Sequence, residues 1–392
     1  SSLKRLRRKY SIPSSRKSIV NVSKTAAVQL VMNKMQDDLA GERGIGWVKH
    51  SLANDLTPIP RDFVRKVMLA LDPLGTSRRF PGKIKDKPLR GRLTAIGPGA
   101  EINCDGHDKL GAQALTMGDI GLPIYGMKDK YSGYVLHLVV VPNNRLETAI
   151  GHVYLDMLEQ HKKFPLQVTV DKGSETGIMG GCQIALRNAF TPDIDQQKYP
   201  PVVAIPSTRN TVIEGFWRWF RNATGKTLFI LTVHLQQGKT AGYFDSGNPL
   251  HIPVFNFIWP SIVQNELDRY KEEWNNHKIR RQKDKMMPSG FTPRTVFIAA
   301  EQPEIAQGRN VKDCFQPVQA EDIAVLRGLI PVTRAEAFTW VEEPMLTVLT
   351  TIYAGLRDVP ALNNLKPIDG WPVFNVLVSE LDMYIANLQA QS

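Results

Sequence analysis

Long apolar runs are missing from this sequence, as are paired cysteines, zinc-type ligand clusters and an even balance of charge. The most apolar stretch, Gly133 to Val141, has only the length of a strand, so no membrane-spanning helix is expected. No secretory signal is visible. The three cysteines, Cys104, Cys182 and Cys314, show no paired spacing, which predicts free thiols and a reducing compartment rather than a disulfide scaffold. No His/Cys cluster has the spacing of a zinc site. The chain begins with Ser1 rather than Met, as a fragment or a processed form would.

Acids are the scarcer charge. Against 49 Lys and Arg stand 38 Asp and Glu, a net charge of +11. Such an excess suits a polyanionic partner, because Lys and Arg neutralise phosphates and release their counterions. The excess lies upstream of Phe315, since the stretch from there to the end holds nine acids and four bases. The 392 residues allow two or three domains and a sizeable core, and the 42% apolar content argues against global disorder.

Residues 1–22 are basic and Ser-rich and read as a flexible arm. Residues 23–73 read as helical. Lys24 to Asp38 carries Val28, Leu30, Val31 and Met35 at helical spacing. Ile45, Val48 and Leu52 mark a second helix, and Phe63, Val64, Val67, Met68 and Leu71 a third that ends at Asp72-Pro73. The last two resemble a helix-turn-helix, whose second helix can enter a major groove with Arg61, Arg65 and Lys66. An ordinary helical hairpin with a solvated basic face has the same local pattern. Residues 74–98 form a basic, Pro-containing linker.

From about residue 99 the pattern alternates. Strands are expected at Ala100 to Cys104, Pro123 to Met127, Gly133 to Val141, Leu166 to Val170 and Val202 to Ile205, the third apolar enough to be central. Helices are expected at Leu146 to His161, Ile178 to Phe190 and Asn210 to Thr224. This order predicts an α/β fold, a mixed sheet with flanking helices, over residues 99–300. The tail, 301–392, contains apolar helical stretches near Met345 to Leu356 and Val373 to Leu388. It reads either as an interaction module or as packing against the core.

Three acids stand out. Asp171 follows directly on a buried strand, where α/β sheets bind ligands, and Gly173 would allow a sharp turn there; a plain turn Asp before Gly looks the same. Asp105 also ends a strand, but Asp108, Asp119 and Asp129 compete with it and spacing selects none of them. Glu214 lies on a helix with Arg218 one turn later and Arg221 two turns later. These are either ion-pair partners at helical spacing or phosphate contacts beside a metal ligand. Together three carboxylates suit one chemistry, two magnesium ions roughly 3.5–4 Å apart clamping the attacking and leaving oxygens of a phosphoryl displacement.

The order of motifs resembles the integrase core of DDE transposases and retrovirus-like integrases, in particular the transposon-derived integrase core domain proteins of fungal and animal genomes. Cys104-Asp105-Gly106-His107-Asp108-Lys109-Leu110 resembles the family's first-aspartate motif and selects Asp105. Asp129-Lys130-Tyr131-Ser132 resembles its Asp-Gly-Tyr-Ser hairpin, and Asp171-Lys172-Gly173-Ser174-Glu175 its second-aspartate motif. The stretch from Ser207 to Glu214 resembles its Ser-x-x-Asn-Gln-Arg-Ile-Glu motif. Trp274-Asn275-Asn276-His277-Lys278-Ile279-Arg280 resembles its Trp-Asn-x-His-x-Ile/Leu-Arg segment.

The resemblance covers roughly residues 40–300. It implies an RNase H-like core and strand cleavage and joining of DNA by Asp105, Asp171 and Glu214 with two magnesium ions, manganese being able to substitute. It also implies DNA contacts from Lys172 and Asn210, DNA ends and target DNA as partners, a homo-oligomer on DNA, and a nuclear location. Thr211 and Val212 stand where the family has Gln-Arg, Thr176 where it has Asn, and Ile102-Asn103 where it has Trp-His. A catalytically silent DNA-binding protein derived from such an element is the alternative.

Overall fold

A computed structural model describes residues 22–38, 43–73, 94–107, 116–117, 120–222, 227–282 and 286–391, with Arg5, Lys9, Tyr10 and Gly75. Most of the expected basic arm 1–22 and linker 74–98 lies outside these residues, as do Asp108 and Asp119. Of Arg221 only the helical backbone is described. The chain divides into two compact units, Ser1–Gly91 with Trp219–Lys226, and Arg92–Arg218 with Thr227–Ser392.

The first unit holds α1 (Lys24–Gln36), α2 (Ile45–Asn54) and α3 (Arg61–Leu71). Ser23 starts α1 by accepting a hydrogen bond from Ala26 N at 3.1 Å, which satisfies one of the orphan amides of the first turn. The three helices bury Ala27, Val31, Val48, Leu52, Val64, Val67 and Met68 together. Arg61, Arg65 and Lys66 lie on the exposed side of α3, opposite that apolar stripe.

The second unit is built on a five-stranded sheet of β1 (Ile102–Gly106), β2 (Ile124–Asp129), β3 (Val135–Val140), β4 (Val168–Asp171) and β5 (Val202–Ile205), in the order β3-β2-β1-β4-β5. The pairs β1–β2 and β2–β3 are antiparallel, while β1–β4 and β4–β5 are parallel. The mixed sheet with flanking helices is that of an RNase H-like integrase core. Alternate residues serve opposite faces. On one face Ile102, Cys104, Tyr125, Met127, Val168 and Val170 join the main core with Ile150, Tyr154, Met157 and Leu158 of α4 (Glu147–His161) and Met179 and Leu186 of α5 (Gly177–Phe190). The other face carries Asn103, Asp105, Gly126, Thr169 and Asp171, and α6 (Thr211–Asn222) lies over it.

The apolar strand expected at the centre of the sheet, β3, is instead an edge. Its free backbone groups are satisfied by a helix rather than by another strand. From α8 (His251–Asn276), which follows α7 (Thr227–Thr240), Asn275 Oδ1 accepts from Val135 N at 2.8 Å and its amide donates to Val135 O at 3.0 Å. Three turns earlier Gln264 accepts from Val140 N at 3.0 Å and donates to Leu138 O at 3.1 Å. Trp274 Nε1 donates to Gly133 O at 2.8 Å. Two side-chain amides thus close the edge, which is why an apolar strand there does not expose a sticky ladder.

The tail packs on the core. After α9 (Pro293–Ala299) and α10 (Pro303–Ala306), Phe315, Val318, Ile323 and Ile330 enter the main apolar cluster. Arg327, at the end of α11 (Ala320–Gly328), and Arg334, at the start of α12 (Arg334–Ala337), both pair with Asp156 of α4, at 3.0 and 2.9 Å. Following α13 (Met345–Gly355), α14 (Gly370–Gln391) buries Trp371 and Phe374 against Phe255 of α8 and Phe244. All three cysteines are free and buried. Among the described residues no helix is long and apolar enough to cross a membrane.

Candidate active site

Cys104 and Val170 point into the core, so the residues that follow them, Asp105 and Asp171, project from the opposite face of the sheet. Asp105 lies inside β1, not just beyond it as the sequence suggested. Asp171 is the last residue of β4. The parallel register pairs Ile102 with Val168 and Asn103 with Thr169; carried two residues further, it sets Asp105 level with Asp171. Glu214 lies in the first turn of α6 and is half-buried, while Ile213, Phe216 and Trp217 of the same helix are buried.

The three acids are electrostatically one group. Burial first, and then the negative charges of Asp171 and Glu214, together raise the Asp105 carboxyl to about 8. Hydrogen bonds from Trp217 and from the backbone of Gly106 work against that rise. A fourth acid, Glu175, is near: with Asp105 and Asp171 it helps hold the Tyr125 hydroxyl well above its ordinary range, behind burial and Cys104. A Cβ on Gly173 would meet the Glu175 carboxylate. Gly173 has extended backbone, φ −99° and ψ 150°, so this glycine provides room for Glu175 and not the sharp turn expected of it.

Two side chains hold the aspartates in place. Trp217 Nε1 donates to Asp105 Oδ2 at 3.0 Å. Asn210 Nδ2 reaches Asp171 Oδ1 at 3.3 Å and Cys104 O at 3.1 Å, and Asn210 Oδ1 accepts from Asn103 Nδ2 at 2.9 Å. Asn210 was expected among the DNA contacts. It is fully buried with its amide committed to the protein, so it positions Asp171 instead. Sequence reading missed Asn103 and Trp217 as site residues. Asn103 stood out only as a departure from the family pattern, and Trp217 only as a core position. Their signals were present, since Asn103 shares the strand face of Asp105 and Trp217 follows Glu214 by three residues.

The remaining candidates lie around this face. Lys172 and Arg218 are exposed. Among the described residues Glu214 and Arg218 make no ion pair with each other. Val212 is buried and its carbonyl accepts from Lys128 Nζ at 3.3 Å, while Thr211 is exposed. Asp129 holds the β2–β3 turn. Its carboxylate accepts from Gly99 N at 2.8 Å, Ser132 N at 2.7 Å and Ser132 Oγ at 2.6 Å. That structural role removes it as a competitor of Asp105.

Among the described residues no three His, Cys, Asp or Glu side chains are gathered closely enough to chelate one ion. The donor set nevertheless fits a hard divalent cation. Asp105, Asp171 and Glu214 offer carboxylate oxygens only, with no soft ligand, and their mutual repulsion is of the kind a cation relieves.

A family model described as an integrase core domain matches residues 105–306, just over half of the chain. No curated protein matches it. The match opens at Asp105, inside β1, and covers β2 to β5, Asp171, Glu214 and the edge-closing helix. By this match and by its fold, the chain belongs to the integrase core domain family of retroviral-type integrases and transposases.

Proposed function

We propose that this protein is a DNA strand transferase that cleaves and joins DNA strands, with Asp105, Asp171 and Glu214 as its catalytic carboxylates. The observation that carries the reading is that Asp105 and Asp171 share one face of adjacent parallel strands and that the charges of Asp171 and Glu214 both raise the Asp105 carboxyl. Magnesium, or manganese in its place, would be held by these three and would stabilise charge on the attacking and leaving oxygens. Trp217 and Asn210 orient the two aspartates, and the exposed Lys172 and Arg218 are suited to phosphate. In the first unit α3 presents Arg61, Arg65 and Lys66 as a recognition helix for DNA ends. The partners in this reading are element ends and target DNA in the nucleus, engaged by a homo-oligomer.

The test is Asp171→Asn, which keeps size but removes the charge that holds a cation. Strand transfer on the element's own ends should vanish, while DNA binding in EDTA stays equal or tightens. A second reading is a catalytically silent DNA-binding protein. It is favoured by Val212, which packs inward where the family has Arg, and by the lack, among the described residues, of a group of three side chains placed to hold one metal ion. Wild type as inactive as Asp171→Asn with either metal would select it.

A further inference from the structure

The Trp274 to Arg280 segment has two parts with different work. Trp274 and Asn275 are accounted for by the edge of the sheet, where Asn275 bonds to Val135 of β3 and Trp274 to Gly133 in the turn before it. Lys278, Arg280 and Arg281, immediately beyond, bond to nothing in this way. They are exposed, and among the described residues none has an ion-pair partner.

These cations are held in a defined place. Ile279 N donates to Phe291 O at 2.9 Å and Gly290 N to Ile279 O at 3.0 Å, so 279 and 290–291 run as a paired ribbon. Gln282 N donates to Ser289 Oγ at 2.9 Å, and that hydroxyl returns to Gln282 O at 3.2 Å. Gly290 has φ +90°, a conformation that costs glycine little, and the Arg281 stem lies beside it. The ribbon lines an open cleft of about 620 Å³, to which Lys278, Arg280, Arg281 and Phe291 contribute together with Glu304 and Gln307 of the α10 region. None of the three catalytic carboxylates lines it. Three cations and one acid line a concavity with room for more than a single phosphate.

We propose that this cleft is a second DNA-binding site, taking the phosphodiester backbone of a DNA strand away from the reacting carboxylates. The inference rests on the DNA reading given above. Phosphate is the ligand that clustered guanidinium and ammonium groups of this kind recognise, and a backbone contact carries no base sequence. The site therefore anchors DNA of any sequence.

The experiment measures binding of the full chain to a short random-sequence duplex in EDTA over a range of salt. Two triple variants are compared with wild type: Lys278→Gln/Arg280→Gln/Arg281→Gln in the cleft, and Lys162→Gln/Lys239→Gln/Arg357→Gln at exposed positions elsewhere in the same unit. Each phosphate contact contributes about 0.9 to the slope of log affinity against log salt, so the cleft variant should lower that slope by about two to three. The control should change it much less. Single substitutions, each lowering the slope by about one, replace the triple if its melting temperature falls. An unchanged slope in the cleft variant, or an equal fall in the control, overturns the cleft. A wild type without salt-dependent DNA binding overturns the DNA reading itself, which separates the two failures.

Discussion

The indole nitrogen of Trp217 donates to Asp105 Oδ2 at 3.0 Å, and the ring can do so because residue 126, directly across the strand pair from Asp105, is glycine. A Cβ on Gly126 would lie 2.7 Å from the Trp217 ring. Trp217→Phe keeps the packing and removes the donor. It should lower strand transfer by about 10–100-fold, the usual effect of losing a group that orients a ligand carboxylate. Gly126→Ala should reproduce the loss by pushing the ring away. Activity unchanged in both, with the fold intact by circular dichroism, would dismiss the positioning role.

Asn103 and Asn210 form a buried amide pair that ends on Asp171. Asn210→Ala removes the acceptor at 2.9 Å from the buried Asn103 amide, leaving it only Glu101 Oε1 at 3.4 Å, and removes the donor to the Cys104 carbonyl, at a cost of about 1–3 kcal/mol in stability. A double-mutant cycle with Asn103→Ala should show coupling of about 0.5–3 kcal/mol in denaturant unfolding. Additive losses would mean that the pair does not act as a unit.

Asn275→Ala removes both bonds to Val135 at the sheet edge. The expected outcome is about 1–3 kcal/mol of lost stability and faster amide exchange at Val135. Exchange at Val140, held by Gln264, should change less. Equal acceleration at both amides would mean that the edge opens as one piece.

Burial raises the Asp129 carboxyl from 3.8 to about 6, although Ser132 and Gly99 donate to it and lower it. The folded chain therefore holds this proton more tightly than the unfolded chain. The Asp129 contribution to stability should fall as pH rises from about 4 to about 6, and be level above. Asp129→Asn lacks that titration, so the stability gap between wild type and variant should shift in favour of wild type as pH drops through the window. Chemical denaturation at several pH values measures it. A gap independent of pH would refute the assignment.

Much of the architecture is legible in the sequence, because it is written in local periodicity. Alternation and buried runs marked all five strands of the sheet, and helical spacing marked α4, α5 and α6, each to within a few residues. Asp171 was visible as the acid ending a buried strand. The choice of Asp105 over Asp129 was not local. It needed the motif order, and then the turn bonds that account for Asp129.

Pairing partners and the uses of individual side chains were decided only by tertiary structure. A strand's apolarity says that its faces are covered, not that its edges are, so β3 read as central although Gln264 and Asn275 close its outer side. A glycine's sequence neighbours do not say whether it supplies a turn or room, and Gly126 and Gly173 supply room for a ring and a carboxylate from elsewhere in the fold or chain. Nor does local pattern show that Phe315, Val318, Ile323 and Ile330 of the tail complete the core. The sequence by itself determined the elements, the excess of positive charge and the acids available for chemistry. Which acids share a charge field, and which amides and indole hold them, depend on contacts between residues up to 112 positions apart, as between Asp105 and Trp217, and folding alone brings those together.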